Sequence, residues 1–190
     1  FHMPLIPIFL ASMVWVLLIQ SVIGFLLAWE IMSLSSFLLI LFDYKSRETV
    51  KAAINYFVQM HICVVLLIIG FLWASSISGS YLFTSFSEVK MALSPGLSLV
   101  LFLILFAGFG IKAGFVPFHT WLPRAHSAAP AHVSALMSGV IHKAGLFGML
   151  KFILMVATPE PWMGWYLIGV STMLAFMGVL YTISQRDIKR

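Results

Sequence analysis

The sequence predicts an all-α protein, a polytopic transmembrane helix bundle with about six spans, one of them a broken helix. Of the 190 residues, 62% are hydrophobic and 9% are charged, whereas an ordinary soluble domain has about 45–50% apolar and 25% charged residues. The mean hydropathy of +1.06 would be lower if a soluble catalytic domain were attached. Ionisable residues also lie inside the apolar runs. We therefore expect residues 1–190 to form a single transmembrane domain.

Cysteine and charge usage exclude several other classes of protein. Cys63 is the only cysteine, so this chain alone cannot form a disulfide, a four-cysteine zinc site or an iron–sulfur cluster. The net charge of +5 arises in short loops and near the carboxyl end, which favours membrane orientation over a nucleic-acid partner. We expect no cofactor, metal or signal peptide. The chain does not begin with methionine, and we expect a fragment of a longer subunit.

Three spans are predicted in the first half of the chain. Residues 3–42 form an apolar run long enough for two helices, and Gln20 and Ser21 supply the polar turn between them. A charged segment then ends the second span. The third span covers about residues 52–73, and the polar stretch at residues 75–95 is expected to form the next loop.

The fourth predicted span is broken. It begins near Gly96 and is apolar to Phe115, but Pro117 and Pro123 remove backbone donors and interrupt the helix. Non-helical backbone occurs at membrane depth only where it is buried in protein or lines a watery cavity, and broken helices mark ion paths in transporters. The break therefore predicts an ion path.

Two continuous spans follow the break. The fifth covers about residues 129–152, and a turn containing Pro159 and Pro161 leads to the sixth, about residues 162–184. The distribution of lysine and arginine predicts their orientation by the positive-inside rule. The basic residues after even-numbered spans should be cytoplasmic, which also places the amino end inside; they are Lys45, Arg47, Lys51, Arg124, Arg186, Lys189 and Arg190, against Lys90 and Lys151 on the opposite side.

Ionisable residues lie well inside four predicted spans. They are Glu30, His61, Lys112, and the adjacent His142 and Lys143. Each charge at the bilayer centre costs about 2.5–3.5 kcal/mol on insertion scales, so these groups must be paired, neutralised or hydrated. Proton transfer is therefore available chemistry. A static Glu–Lys bridge between helices, in a purely structural subunit, remains the alternative.

Polar neighbours indicate a wet internal face. Ser134, Ser138 and His142 recur at every fourth position of the fifth span, and Ser33 follows Glu30 by one turn. On the third span the residues Asn55 and Gln59 repeat the same step, and for them we favour simple hydrogen bonding between helices.

The irregular stretch at residues 114–130 contains His119 and His126, which either belong to the ion path or make structural hydrogen bonds. His132 is expected to be structural.

A b-type cytochrome is a rival class, in which His61 and His142 would bind haem from opposite sides. A haem site would not explain the lysines and the glutamate at the same depth.

A long motif at residues 110–139, GIKAGFVPFHTWLPRAHSAAPAHVSALMSG, resembles the antiporter-like membrane subunits. These proteins occur in respiratory complex I, in multi-subunit cation/proton antiporters and in energy-converting hydrogenases. The resemblance extends to Trp29-Glu30, to His142-Lys143 and to the closing QRDIKR. Arg124 within WLPRAH, and His61 after Gln-Met, are similar to the large membrane subunit of hydrogenase-4 and formate hydrogenlyase.

The resemblance implies a proton-translocating role. Glu30 and Lys112 would form a switching ion pair, and Lys143 would be the central proton relay. From their positions in the sequence, His61, His119, His126 and His142 are expected to have secondary roles. The chain would be the middle of a longer subunit, carrying one half of an inverted repeat. That subunit would be a non-redox component of an oxidoreductase complex in the inner cell membrane, beside other membrane subunits. A complex I subunit or a sodium/proton antiporter component, coupled to H⁺ or Na⁺, remains the nearest alternative.

Overall fold

A computed structural model describes residues 2–153, 155 and 161–184, nearly all of them helical. The closing QRDIKR segment, with the predicted cytoplasmic residues Arg186, Lys189 and Arg190, lies outside the described residues. The same is true of Pro159 in the predicted turn before the last span. The predicted all-α bundle is confirmed within the described ranges.

The helices follow the predicted order, with longer bounds in places. In chain order they are α1 (His2–Leu18), α2 (Val22–Ile40), α3 (Arg47–Ser78), α4 (Phe86–Ala92), α5 (Pro95–Ala113), α6 (Trp121–Ala128), α7 (Ala131–Leu136), α8 (His142–Gly148) and α9 (Pro161–Ser184). Two π-helical segments, Met137–Ile141 and Met149–Ile153, join and extend α7 and α8 into one element. We call this element, Ala131–Ile153, the fifth helix.

Five of the described helical elements are long and apolar enough to cross a membrane, and the chain is a multi-pass membrane protein. They are Val22–Asp43, Arg47–Ser78, Pro95–Ala128, Ala131–Ile153 and Pro161–Ile183. The apolar α1 is shorter, with 17 residues. The expectation of six membrane-length spans is thus met by five elements together with this shorter helix.

The third span extends beyond its predicted limits at both ends. Ser46 caps the start of α3 by accepting a hydrogen bond from the Thr49 backbone N–H at 3.4 Å, and Gly79 ends it in the left-handed conformation at φ 67°. The charged first turn is compatible with a helix because it lies at the end of the apolar run. The predicted loop at 75–95 was wrong in part, since it contains the end of α3 and the short α4.

Loop contacts keep the predicted alternation of the bundle ends. A short antiparallel bridge joins Ser21 to Leu82, with hydrogen bonds from Val22 N to Tyr81 O at 2.9 Å and from Phe83 N to Gln20 O at 3.0 Å. The turn after α1 and the loop after α3 therefore lie at one end. At the other, a groove of about 550 Å³ is lined by residues from the start of α3 and from α6, among them Lys51 and Arg124.

The predicted break in the fourth span is confirmed, and its cause is local. At the end of α5, Gly114 adopts φ 79°, and Phe115 N–H bonds back to the Gly110 carbonyl at 2.9 Å. Pro117 lies in the irregular segment. Pro123 was predicted to interrupt the helix, but it does not. It lies in the first turn of α6, where backbone N–H groups have no helical partner to lose.

The fifth helix packs closely on α5 because glycines face it. A Cβ at Gly145 would lie 2.8 Å from Ala113 N and 3.0 Å from Phe109 O, and one at Gly148 would overlap the Phe109 ring. Gly145 and Gly148 are therefore packing positions, whereas a Cβ at Gly139 would meet nothing within 4 Å. The interface brings the carboxyl end of α5 against α8.

Candidate functional site

Lys112 is a fully buried basic side chain. It lies in the last turn of α5, just before the break, with 0% of its surface exposed. Its Nζ donates to Ser33 Oγ at 2.6 Å and lies 5.3 Å from the centroid of the Trp29 ring. Ser33 Oγ in turn donates to the Trp29 carbonyl at 2.9 Å. The Lys112 ammonium group has three N–H donors, and its neighbours are the Ser33 hydroxyl and the face of the Trp29 ring.

Glu30 contacts His61 and does not contact its predicted partner, Lys112. Its Oε1 lies 3.0 Å from His61 Nε2, with 26% of the glutamate side chain and 41% of the histidine side chain exposed. Among the contacts of the described residues, none joins Glu30 to Lys112 as an ion pair. The structure thus has the separated arrangement of the two groups. Sequence reasoning placed His61 only in a secondary role, although its mid-span position on the helix following α2 was visible.

Two groups that sequence reasoning missed extend the polar contacts of Ser33. Ser36 Oγ lies 2.9 Å from the Ser33 carbonyl and 2.6 Å from the Tyr56 hydroxyl. Since Ser36 has one hydrogen, which it donates to the carbonyl, the Tyr56 hydroxyl is the donor to Ser36. The recurrence of serine at positions 33 and 36 of α2 was the available signal.

Aromatic rings stack between α6 and the fifth helix beside the break. The His142 ring stacks on Trp121 with centroids 5.3 Å apart and on His126 at 5.8 Å. Trp121 Nε1 donates to the Ile111 carbonyl at 2.9 Å, and His126 Nδ1 lies 2.7 Å from Ser134 Oγ. The stack ties the re-started helix to the carboxyl end of α5.

The predicted wet face of the fifth helix is only partly formed. His142 and Ser134 face the stack, but Ser138 is exposed. The reason is the π-helical segment Met137–Ile141, which contains Ser138 and separates Ser134 from His142. Its wider turn changes the angular position of each residue, so residues spaced by four do not all lie on one face of the helix. Lys143 is likewise exposed on the surface of the described bundle, and its predicted relay role stays a prediction.

The remaining polar candidates make contacts between elements. Gln59 Nε2 donates to Thr120 Oγ1 at 2.6 Å, a contact that leaves α3 as the favoured interpretation expects. Its other bond, to Asn55 Oδ1 at 3.3 Å, stays within α3, so for Asn55 the interpretation remains a prediction. His119 Nε2 lies 3.4 Å from the Tyr181 hydroxyl of α9.

The haem alternative required His61 and His142 to face each other, but His61 faces Glu30 and His142 faces two other rings.

These features define a polytopic helical membrane protein in which a fully buried lysine lies in the last turn before a break in one span. The chain belongs to the transmembrane family described as NADH:quinone oxidoreductase/Mrp antiporter, whose model matches residues 20–190. The resemblance of the motif at residues 110–139 is thereby confirmed.

Individual relatives agree with this membership. Hydrogenase-4 component B of Escherichia coli (strain K12) is 45% identical over 186 residues, covering 96% of this chain and 27% of that protein. Formate hydrogenlyase subunit 3 of the same strain is 40% identical over 83 residues, or 44% of this chain and 14% of that protein. This chain thus spans only about a quarter of the length of hydrogenase-4 component B.

A solved structure shows the same fold. In the structure of the Mrp complex from Dietzia sp. DQ12-45-1b, one chain superposes with a TM-score of 0.88 at 23% identity, covering 97% of this chain and 20% of that one.

Proposed function

We propose that this chain is the central part of a longer proton-translocating membrane subunit of the hydrogenase-4 and formate hydrogenlyase type. The observation that carries the proposal is Lys112, fully buried at the end of the broken helix with the Ser33 hydroxyl as acceptor. An ammonium at mid-membrane costs about 2.5–3.5 kcal/mol on insertion scales, and intramembrane ionisable residues are accordingly found where ions move.

In this proposal Lys112 takes up and releases the proton, and Glu30 is the switch. Contact with the glutamate compensates the ammonium charge, and separation removes that compensation. The described arrangement, with Glu30 on His61 and Lys112 on Ser33, is the separated member of the cycle. Movement of Glu30 between the two partners would couple its position to the proton occupancy of Lys112.

The onward path is proposed through the fifth helix. His142 lies beside the backbone of Lys112 and Ala113 and stacks on His126, whose contact with Ser134 continues away from α5. Lys143 would relay protons to the rest of the longer subunit, since its side chain is exposed on the described bundle. His119 would remain secondary, at the break.

The driving energy would come from a redox reaction in partner subunits of a membrane complex in the inner cell membrane. A complex I subunit or a sodium/proton antiporter component is the sibling alternative, because the same family covers both. Sodium dependence of the ion flux would separate the antiporter alternative from a proton-only subunit.

The proposal is tested by replacing Lys112 in the intact subunit within its complex. Lys112→Ala should abolish proton translocation in reconstituted vesicles while membrane insertion and assembly persist. Lys112→Arg, which keeps the charge but cannot release its proton, should also fail. The control is Lys151→Ala, because Lys151 lies at the other end of the fifth helix, 5.3 Å from the Phe152 ring centroid. Undiminished pumping by Lys112→Ala would refute the assignment.

A further inference from the structure

The contact between Glu30 and His61 links two helices at a position where an isolated charge would be unfavourable. It joins the middle of α2 to the middle of α3, with Oε1 and Nε2 3.0 Å apart, and it is half-exposed on a bundle surface where the surrounding side chains are apolar. An unpaired carboxylate at such a position would be costly. The nature of the contact therefore depends on where the hydrogen atoms lie.

The other histidine nitrogen decides this. His61 Nδ1 lies 2.9 Å from the Phe57 backbone carbonyl, one turn earlier on α3. A carbonyl oxygen only accepts, so Nδ1 must carry a hydrogen. If Nε2 had none, its lone pair would face the lone pairs of the Glu30 carboxylate at 3.0 Å, which is repulsive. One further proton must lie between Nε2 and Oε1.

We infer that Glu30 and His61 hold one proton between them and act as a single proton-carrying unit. In one form the unit is a carboxylate with an imidazolium; in the other, the Nε2–H bond breaks, an Oε1–H bond forms, and the unit is a carboxylic acid with a neutral imidazole. The net charge of the unit is zero in both forms, which explains why the bundle tolerates these two ionisable residues in the middle of their helices. The inference rests on the proposed function and adds His61 to its proton-carrying groups.

The groups around the unit show what release of the proton would do. The titratable side chains near Glu30 are Tyr56 and Cys63 on α3 and Lys112 on α5. Loss of the shared proton would leave the unit with a net charge of −1 and would attract the Lys112 ammonium from Ser33. Glu30 Oε2 offers a place for it, because this buried oxygen accepts no hydrogen bond within the described part of the chain.

The first measurement is spectroscopic and does not depend on transport. In the intact subunit with ¹⁵N-labelled histidine, the His61 signal is identified by its loss in His61→Gln. We expect a protonated Nδ1 in every state, as an imidazolium or as the neutral Nδ1–H form. A neutral Nε2–H form would overturn the inference.

The second measurement is proton flux. His61→Gln retains a donor for Glu30 but cannot bind a proton, so flux should fall on the order of 100-fold, the lower end of what a positioned proton-transfer group contributes. His61→Lys restores a proton-binding group and should recover part of that loss. Ile62→Ala, on the neighbouring exposed residue, controls for general disturbance of α3 and should pump normally.

The outcomes separate the inference from the proposed function. Normal flux in His61→Gln with loss in Lys112→Ala would overturn the shared-proton unit and leave the proposed function standing. Equal loss in His61→Gln and His61→Lys, with both assembled, would also overturn it. Normal flux in Lys112→Ala would instead refute the proposed function, whatever the histidine spectrum shows.

Discussion

Gly145 sets how closely the fifth helix approaches the end of α5, and we predict that Gly145→Ala disrupts the site from outside it. The added Cβ would lie 2.8 Å from Ala113 N, 3.0 Å from Phe109 O and 3.1 Å from Ala113 Cα. Favourable carbon contacts need about 3.5–4.0 Å. All three neighbours are backbone atoms, so no side-chain rotation can relieve the overlap and the two helices must separate by several tenths of an ångström or more.

The magnitude follows from the cost of overpacking. Forced backbone shifts of this kind cost about 1–3 kcal/mol, and each kcal/mol lowers the melting temperature by about 2–4 °C for a domain of this size. Lys112 is the residue before Ala113, so the shift also moves its Nζ relative to Ser33. Proton flux should therefore fall together with stability.

The assay measures thermal unfolding and proton flux on the same purified variant. Gly139→Ala is the matched control, because it lies on the same helix and its Cβ would meet nothing within 4 Å. It should be neutral, or more stable by about 0.5–1 kcal/mol as expected for alanine replacing glycine in a helix. A Gly145→Ala variant that matches Gly139→Ala in both measurements would refute the packing argument.

The remaining predictions concern the switch and the orientation of the chain. Glu30→Gln should impair proton flux while losing much less than the 3–5 kcal/mol of stability typical of a broken buried ion pair, measured as flux and thermal stability on one variant; lost stability or retained flux would refute the switch role of Glu30. In a Cys63→Ala background, cysteines at Ser46 and Ser184 should be protected from an impermeant thiol reagent added outside, and a cysteine at Ser78 should be labelled. The reverse labelling pattern would contradict the predicted orientation.

Much of the fold was predictable because its causes are local. Apolar runs of membrane length, proline at the break and charged loops are each read from neighbouring residues, and they placed α5, the break and the order of the helices correctly. The errors at Pro123 and at the ends of α3 are boundary effects. A proline in a first turn costs no hydrogen bond, and a capped helix can extend past the apolar run.

The sequence by itself determined which ionisable residues lie within apolar runs of membrane length, since a charge inside such a run is visible without a structure. Only the tertiary structure decided their partners. Lys112 bonds to Ser33, Glu30 bonds to His61, and Lys143 is exposed. The physical reason is that a contact between helices depends on the rotation and axial shift of each helix. Those are set by packing at positions such as Gly145 and by the phase change of a π-helical segment, which no residue spacing reveals.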